Sequence, residues 1–168
     1  SKDSVSSAVE EYAQLLDLTG TGTMGYVHIP KLAVSLPIYH GTEEETLDRG
    51  VGHLIGSSLP IGGSSTHAIL TGHSGLASQK MFSDLDKLEI GDTFYLEVLN
   101  EILAYEVDQI NTVLPHDTTY LGLEEGKDLC TLVTCTPFGV NTHRLLIRGH
   151  RIAYTPEDEE SPTTEPAE

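Results

Sequence analysis

Leu129-Cys130-Thr131-Leu132-Val133-Thr134-Cys135, closed by Thr136-Pro137 and followed after a turn by Thr142–Ala153, is the stretch that decides the fold. It is apolar and β-branched from end to end and too short for a buried helix, so it reads as a strand. Thr142–Ala153 then returns as a second strand. Working outward, Thr93–Leu99 and Ile102–Val113 form another pair, with Asn100-Glu101 expected as a two-residue hairpin turn. Thr66–Thr71 is a compact apolar strand running on to His73. Tyr26–Ile29 and Ala33–Tyr39 are short strands divided by Pro30-Lys31, and Pro37 confines part of the second to an edge or a bulge. Seven or eight short strands with small helices between them point to a mainly β closed barrel rather than a doubly wound sheet.

The helical signals are few. Val5, Val9, Tyr12, Leu15 and Leu16 make an amphipathic helix over 4–17, with Ser7 and Glu10 as a capping box. Thr19-Gly20-Thr21-Gly22-Thr23 then breaks it as a flexible loop. Thr42-Glu43-Glu44-Glu45 reads as a second capping box opening a short helix to about Arg49, and Met81–Leu88 has room for about two helical turns. The organisation expected is an N-terminal helix and loop over 1–23, a barrel over 24–154, and a linker over 155–168. That last segment holds acids and prolines but no large apolar residue, so it cannot offset its ordering entropy and is expected to be disordered.

Bulk properties exclude several functions. A chain of 168 residues, 38% of them hydrophobic, can bury one core without disulfide support. Its net charge of −17 argues against a nucleic-acid partner and against docking on anionic lipid through the domain surface. No apolar run approaches the roughly 20 residues of a membrane span, and no signal peptide opens the chain. Starting at Ser1 rather than Met, it reads as a processed or excised fragment, with membrane contact expected only through flanking segments.

The two cysteines test one another. Five strand steps separate Cys130 from Cys135 by about 16 Å, whereas a disulfide needs Cα atoms within about 7 Å. Their odd spacing also sends the side chains to opposite faces. Both are therefore expected to be free. Cys130 fits a small buried hydrophobe, which leaves Cys135 to be explained.

A cysteine attacks as thiolate and needs a partner that stabilises the anion or takes its proton. Attack on an amide carbonyl creates an oxyanion, which must meet fixed donors. Arg144 returns nine residues after Cys135, and arginine stays cationic with five donors. Leu70-Thr71-Gly72-His73-Ser74-Gly75 ends a neighbouring strand on a histidine. Taken singly, each of the three has an ordinary structural explanation; together they make a minimal nucleophilic site. Other chemistries fail on spacing: Gly72-His73-Ser74-Gly75-Leu76 lacks the final glycine of a nucleophile elbow, and no metalloprotease histidine pair, zinc-type cysteine spacing or phosphate-cradling loop is present. No cofactor and no metal are expected, and the Glu43-Glu44-Glu45/Asp48 cluster reads as a solvated helix face.

Thr-Leu-Val-Thr-Cys-Thr-Pro-Phe-Gly-Val-Asn-Thr-His-Arg over 131–144, with Thr71-Gly72-His73, resembles the sortases, the cysteine transpeptidases of Gram-positive cell surfaces. The likeness is to their class C, pilin-polymerising branch and runs from about Met24 to Tyr154. The resemblance implies an eight-stranded barrel, with Cys135 as nucleophile, His73 as general acid/base and Arg144 as oxyanion or substrate-backbone donor. It implies cleavage of a Leu-Pro-x-Thr-Gly-like sorting signal through a thioester and transfer to a lysine amine of a pilin subunit, at the cell surface. A cell-wall-anchoring sortase and a non-catalytic binding barrel are the alternatives. Seven other histidines compete for the base. His143 has the wrong strand parity, and His53, beside the site in the family, reads as a supporting residue. Class C sortases usually carry an Asp-Pro-aromatic lid before the barrel; no Asp-Pro occurs in 1–168, which leaves Cys135 expected to be reachable.

Overall fold

The computed structural model describes residues 11–17, 20–74 and 80–156. Eight strands follow in chain order: β1 Thr23–Ile29, β2 Val34–His40, β3 Val51–His53, β4 Thr66–Thr71, β5 Thr93–Val98, β6 Glu101–Val113, β7 Asp128–Thr136 and β8 His143–Ile152. They close into a barrel in the order β1-β2-β3-β4-β7-β8-β6-β5. Closure leaves no full-length edge, and so removes the unpaired backbone that an open sheet of this size would expose. Two neighbours are parallel, β2–β3 and β4–β7. The first of these is joined through a short helix, α1, Glu44–Arg49.

Alternation sorts the strands into two faces. Ala68, Leu70, Cys130, Leu132, Leu145 and Ile147 point into the barrel and join the main core. The opposite face of β4, β7 and β8 carries a smaller apolar cluster, Ile69, Val133 and Leu146 with Val113, covered by Leu54 and Leu121. Cys135 and Arg144 belong to this outer face by parity. The loop from β6 to β7 is pinned over it. Arg148 bonds Asp108 at 2.9 and 3.1 Å and also reaches Glu124, while His67 donates from Nδ1 to the Gly122 carbonyl at 2.9 Å.

Three local expectations need correction, and a fourth, for Pro37, is met. The β5–β6 hairpin turns at Leu99 and Asn100, both left-handed with φ of 55° and 63°, so β6 starts at Glu101. Two residues with φ > 0 match the strand twist as a type I′ turn. Met81–Leu88 forms no α-helix; after a turn, Leu85–Lys87 is a 3₁₀ helix. Phe82, Leu85 and Leu88 are spaced by three, which a 3₁₀ turn eclipses on one side, and all three are buried. Helix α1 begins after Glu43 with no side-chain cap, so the Thr42 capping box does not form. Pro37 sits where β2 stops being an edge: Val34–Pro37 pairs only with β1, whereas Ile38–His40 also pairs with β3.

Residues 11–14 are helical. The rest of the helix expected over 4–17, its Ser7–Glu10 capping box, Thr19 of the loop, and the linker beyond Pro156 lie outside the described residues. Tyr12 docks this end on the barrel. Its hydroxyl lies 2.6 Å from His53 Nδ1, donates to the His53 carbonyl at 3.1 Å, and accepts from the Gly41 amide at 3.2 Å.

Candidate active site

Cys135 and Arg144 are direct partners across the antiparallel β7–β8 ladder. Directly opposed residues share a face of the sheet, with Cβ atoms about 4.5–5.5 Å apart. Cys135 is half-buried, whereas Cys130 is fully buried, and both are free thiols. Burial first, then the Asp128 charge, push the Cys130 thiol well above its ordinary range, so it stays protonated and inert. The arginine spends Nη1 on the turn ahead of it, donating to the carbonyls of Asn141 at 3.2 Å and His143 at 3.0 Å. Among the described residues, no hydrogen bond occupies Nε or Nη2.

His73 reaches the same end of the barrel by a different route. Thr71 is the partner of Val133 in the parallel β4–β7 ladder, and the Gly72 amide continues it by donating to the Val133 carbonyl at 2.9 Å. Thr134 Oγ1 then donates to the Gly72 carbonyl at 2.8 Å, and Ser74 Oγ to the Cys135 carbonyl at 2.9 Å. Residues 72–74 thus run beside Thr134-Cys135. Glycine is required at 72: a Cβ there would lie 2.6 Å from the Phe82 ring, which is fully buried. The Phe82 amide in turn donates to the His73 carbonyl at 2.9 Å.

His73 Nε2 faces two carboxylates of α1, at 3.4 Å from Glu44 Oε1 and 3.5 Å from Asp48 Oδ1. It is itself buried, and no hydrogen bond is closed. Part of the acidic cluster read as a solvated face therefore converges on the histidine. Among the described residues these three are the group whose potential metal-donor atoms lie within 4.8 Å of one another. Two solvated carboxylates and an imidazole fall short of the six to eight oxygens calcium takes, and we read the group as an ion pair.

The crevice beside the thiol is small, about 20 Å³, and is lined among others by Ser74, Phe82, Asp86, Cys135 and Phe138. That is room for a water and no more. Phe138 and Val140 on the β7–β8 turn and Leu114 after β6 are exposed apolar residues on the loops at the ends of these strands. His53 is fully buried in β3, with Nε2 donating to the Ser58 carbonyl at 2.7 Å. It is a structural residue, spent on holding Tyr12 and the β3–β4 connection. His143 pairs with Thr136 and bonds Thr142 Oγ1 at 2.9 Å.

The sortase domain family matches residues 27–152. The chain belongs to the sortase family. It is 32% identical over 131 residues to Sortase D of Bacillus subtilis (strain 168), an alignment covering 76% of this chain and 63% of that protein. Among solved structures it is similar to sortase C1 from Streptococcus agalactiae, with a TM-score of 0.87 and 56% identity over 89% of this chain and 78% of that one. A pilus-related sortase C of Group B Streptococcus matches with a TM-score of 0.78 and 50% identity, over 80% of this chain and 69% of that one. The chain spans 63% of the length of the first of its curated relatives and 47% of the second, a Sortase A of Streptococcus agalactiae. The eight-stranded sortase barrel expected from the sequence is the fold observed. No helix among the described residues is long and apolar enough to cross a membrane.

Proposed function

We propose that this sortase is a cysteine transpeptidase that polymerises pilins, with Cys135 as nucleophile, His73 as general acid/base and Arg144 as the donor to the oxyanion. The opposition of Cys135 and Arg144 across one ladder carries the reading, because it sets thiol and cation on one face with His73 on the adjoining strand end. The Cys135 thiolate adds to the Thr–Gly carbonyl of a Leu-Pro-x-Thr-Gly-like signal, and Arg144 meets the developing oxyanion. Collapse expels the glycine amine, which takes the proton held on His73. A lysine amine of a second pilin attacks the thioester and loses its proton to His73 as the Cys135 thiolate departs. Similarity to class C structures, one of them titled pilus-related, supports the choice of acceptor and a location on the outer face of a Gram-positive cell membrane.

Incubation with a sorting-signal peptide tests this directly. Intact-mass measurement should show an adduct of the cleaved peptide on the native chain and none on Cys135→Ala. Pilin subunits should then discharge it into an isopeptide-linked ladder. Discharge only by cell-wall peptide amines would make it an anchoring enzyme, and absence of any adduct would reduce it to a binding barrel.

A further inference from the structure

Helix α1 is too short to be held by its own hydrogen bonds, and two contacts fix its orientation. Leu47 packs so close to β3 that a Cβ on Gly52 would lie 3.0 Å from it. The Arg49 guanidinium sits 4.4 Å over the Tyr39 ring of β2. With those side chains turned to the barrel, Glu44 and Asp48 project together, because residues four apart share a helix face. Both aim at His73 Nε2, from 3.4 and 3.5 Å. Two carboxylates at that spacing repel one another unless a cation stands between them. The imidazole is the group so placed, and among the described residues its buried Nε2 has no other partner.

We propose that Asp48, together with Glu44, is a positioning residue for His73, holding the imidazole by Nε2–H and leaving Nδ1 as the nitrogen that exchanges a proton with Cys135. The inference rests on the catalytic roles proposed above. A carboxylate on one ring nitrogen fixes the tautomer and the ring orientation and favours the imidazolium, so the other nitrogen is presented in the correct state. The present separations are those of an ion pair; such contacts tighten when the histidine becomes charged in a complex with substrate. Among the described residues, the charged or titratable groups on the neighbouring elements include Cys135 on β7, its ladder partner Arg144 on β8, and Asp86, which shares the crevice with Cys135. Arg144 opposes the imidazolium, and Cys135 as thiolate and Asp86 favour it. Glu44 and Asp48 are both well exposed, which screens each of them and lets one stand in for the other.

The test is the double variant Glu44→Gln/Asp48→Asn, read in two ways. In the full chain carrying Cys135→Ala, ¹⁵N NMR of labelled histidine should show His73 in the Nε2–H tautomer when neutral. The double substitution should mix the tautomers. In the active chain, kcat/KM should fall roughly tenfold, short of the 10²–10⁴ that general acid–base catalysis contributes in all. The basic limb of the pH profile should move to lower pH, and Asp48→Glu should keep most of the activity. An unchanged tautomer overturns the proposal, and so does a rate loss with an unmoved pH profile, which would mark a structural role only. Full turnover by His73→Ala would instead sink the catalytic reading, while the NMR result would still decide whether the carboxylates hold the ring.

Discussion

Cys135 and Cys130 lie on one strand and face opposite sides of the barrel wall, the first half-buried and the second fully enclosed. This single parity separates the proposed nucleophile from a buried filler. Cys135→Ala should abolish peptide cleavage, whereas Cys130→Ala should leave most of the activity and cost stability modestly, as a small buried hydrophobe would. Intact mass should show no loss of two hydrogens. A native Cys130–Cys135 disulfide would contradict both the strand register and the assignment of the nucleophile.

The same asymmetry should be visible in labelling kinetics. One thiol should react rapidly with a small thiol reagent in the folded protein, and the other only after denaturation. Burial and the Asp128 charge keep Cys130 protonated, so its reaction is blocked chemically as well as sterically. The fast phase should vanish in Cys135→Ala. Slow labelling of both cysteines in the native protein would mean that another segment covers the outer face.

Arg144 and Arg148 share a face but do different work. In its proposed role Arg144 offers Nε and Nη2, unbonded among the described residues, so Arg144→Lys, which retains charge but loses the planar fork, should lower kcat by about 10²-fold or more. Arg148 is committed to Asp108 and Glu124, and bonding to Asp108 first of all raises its already high pKa. Arg148→Ala should therefore loosen the β6–β7 loop and raise KM more than it lowers kcat. Equal kcat losses at both positions would point to a general field effect instead of a placed donor.

Much of this was legible because it depends on local rules. Period-two alternation locates the strands, and parity alone separates Cys130 from Cys135. Where reading failed, the deciding interaction was distant. The hairpin sits at Leu99-Asn100 because the ladder register, Val98 opposite Glu101, forces an ordinary leucine into left-handed backbone that no propensity would assign to it. Residues 81–88 offered apolar positions three apart, which suit an α-helix and a 3₁₀ turn alike until the core decides. The approach of Glu44 and Asp48 to His73 was invisible for a third reason. Those residues are 25 to 29 positions apart, and only the pairing of β2 with β3 and β3 with β4 folds the intervening chain back.

Gly72 offers a way to disturb the histidine without touching it. A methyl group there would stand 2.6 Å from the Phe82 ring, and Phe82 is enclosed on all sides and cannot give way. The backbone at 72–73 has to shift instead. Gly72→Ala should cost about 1–3 kcal/mol of stability, as overpacking does, and should lower kcat by displacing His73, the proposed general acid/base. Pairing it with Phe82→Leu should recover part of the activity by opening space, and failure to recover any would show that the ring is not the obstacle.

His53 and His67 make the fold sensitive to acid. Each is buried with both ring nitrogens bonded: His53 between Ser58 and Tyr12, His67 between Gly122 and Thr131. Burial, the largest cause for each, lowers both below the ordinary 6.5. In the unfolded chain both rings take up protons as pH falls through about 6.5, while the folded chain does so only at lower pH. Their contribution to stability is therefore intact above that value, declines as pH falls below it, and stops declining once the folded rings protonate as well. The melting temperature should drop between about pH 7.5 and pH 5. His67→Gln and His53→Gln should each flatten that slope even if they lower stability at neutral pH. An unchanged slope in both variants would assign the acid sensitivity to the carboxylates instead.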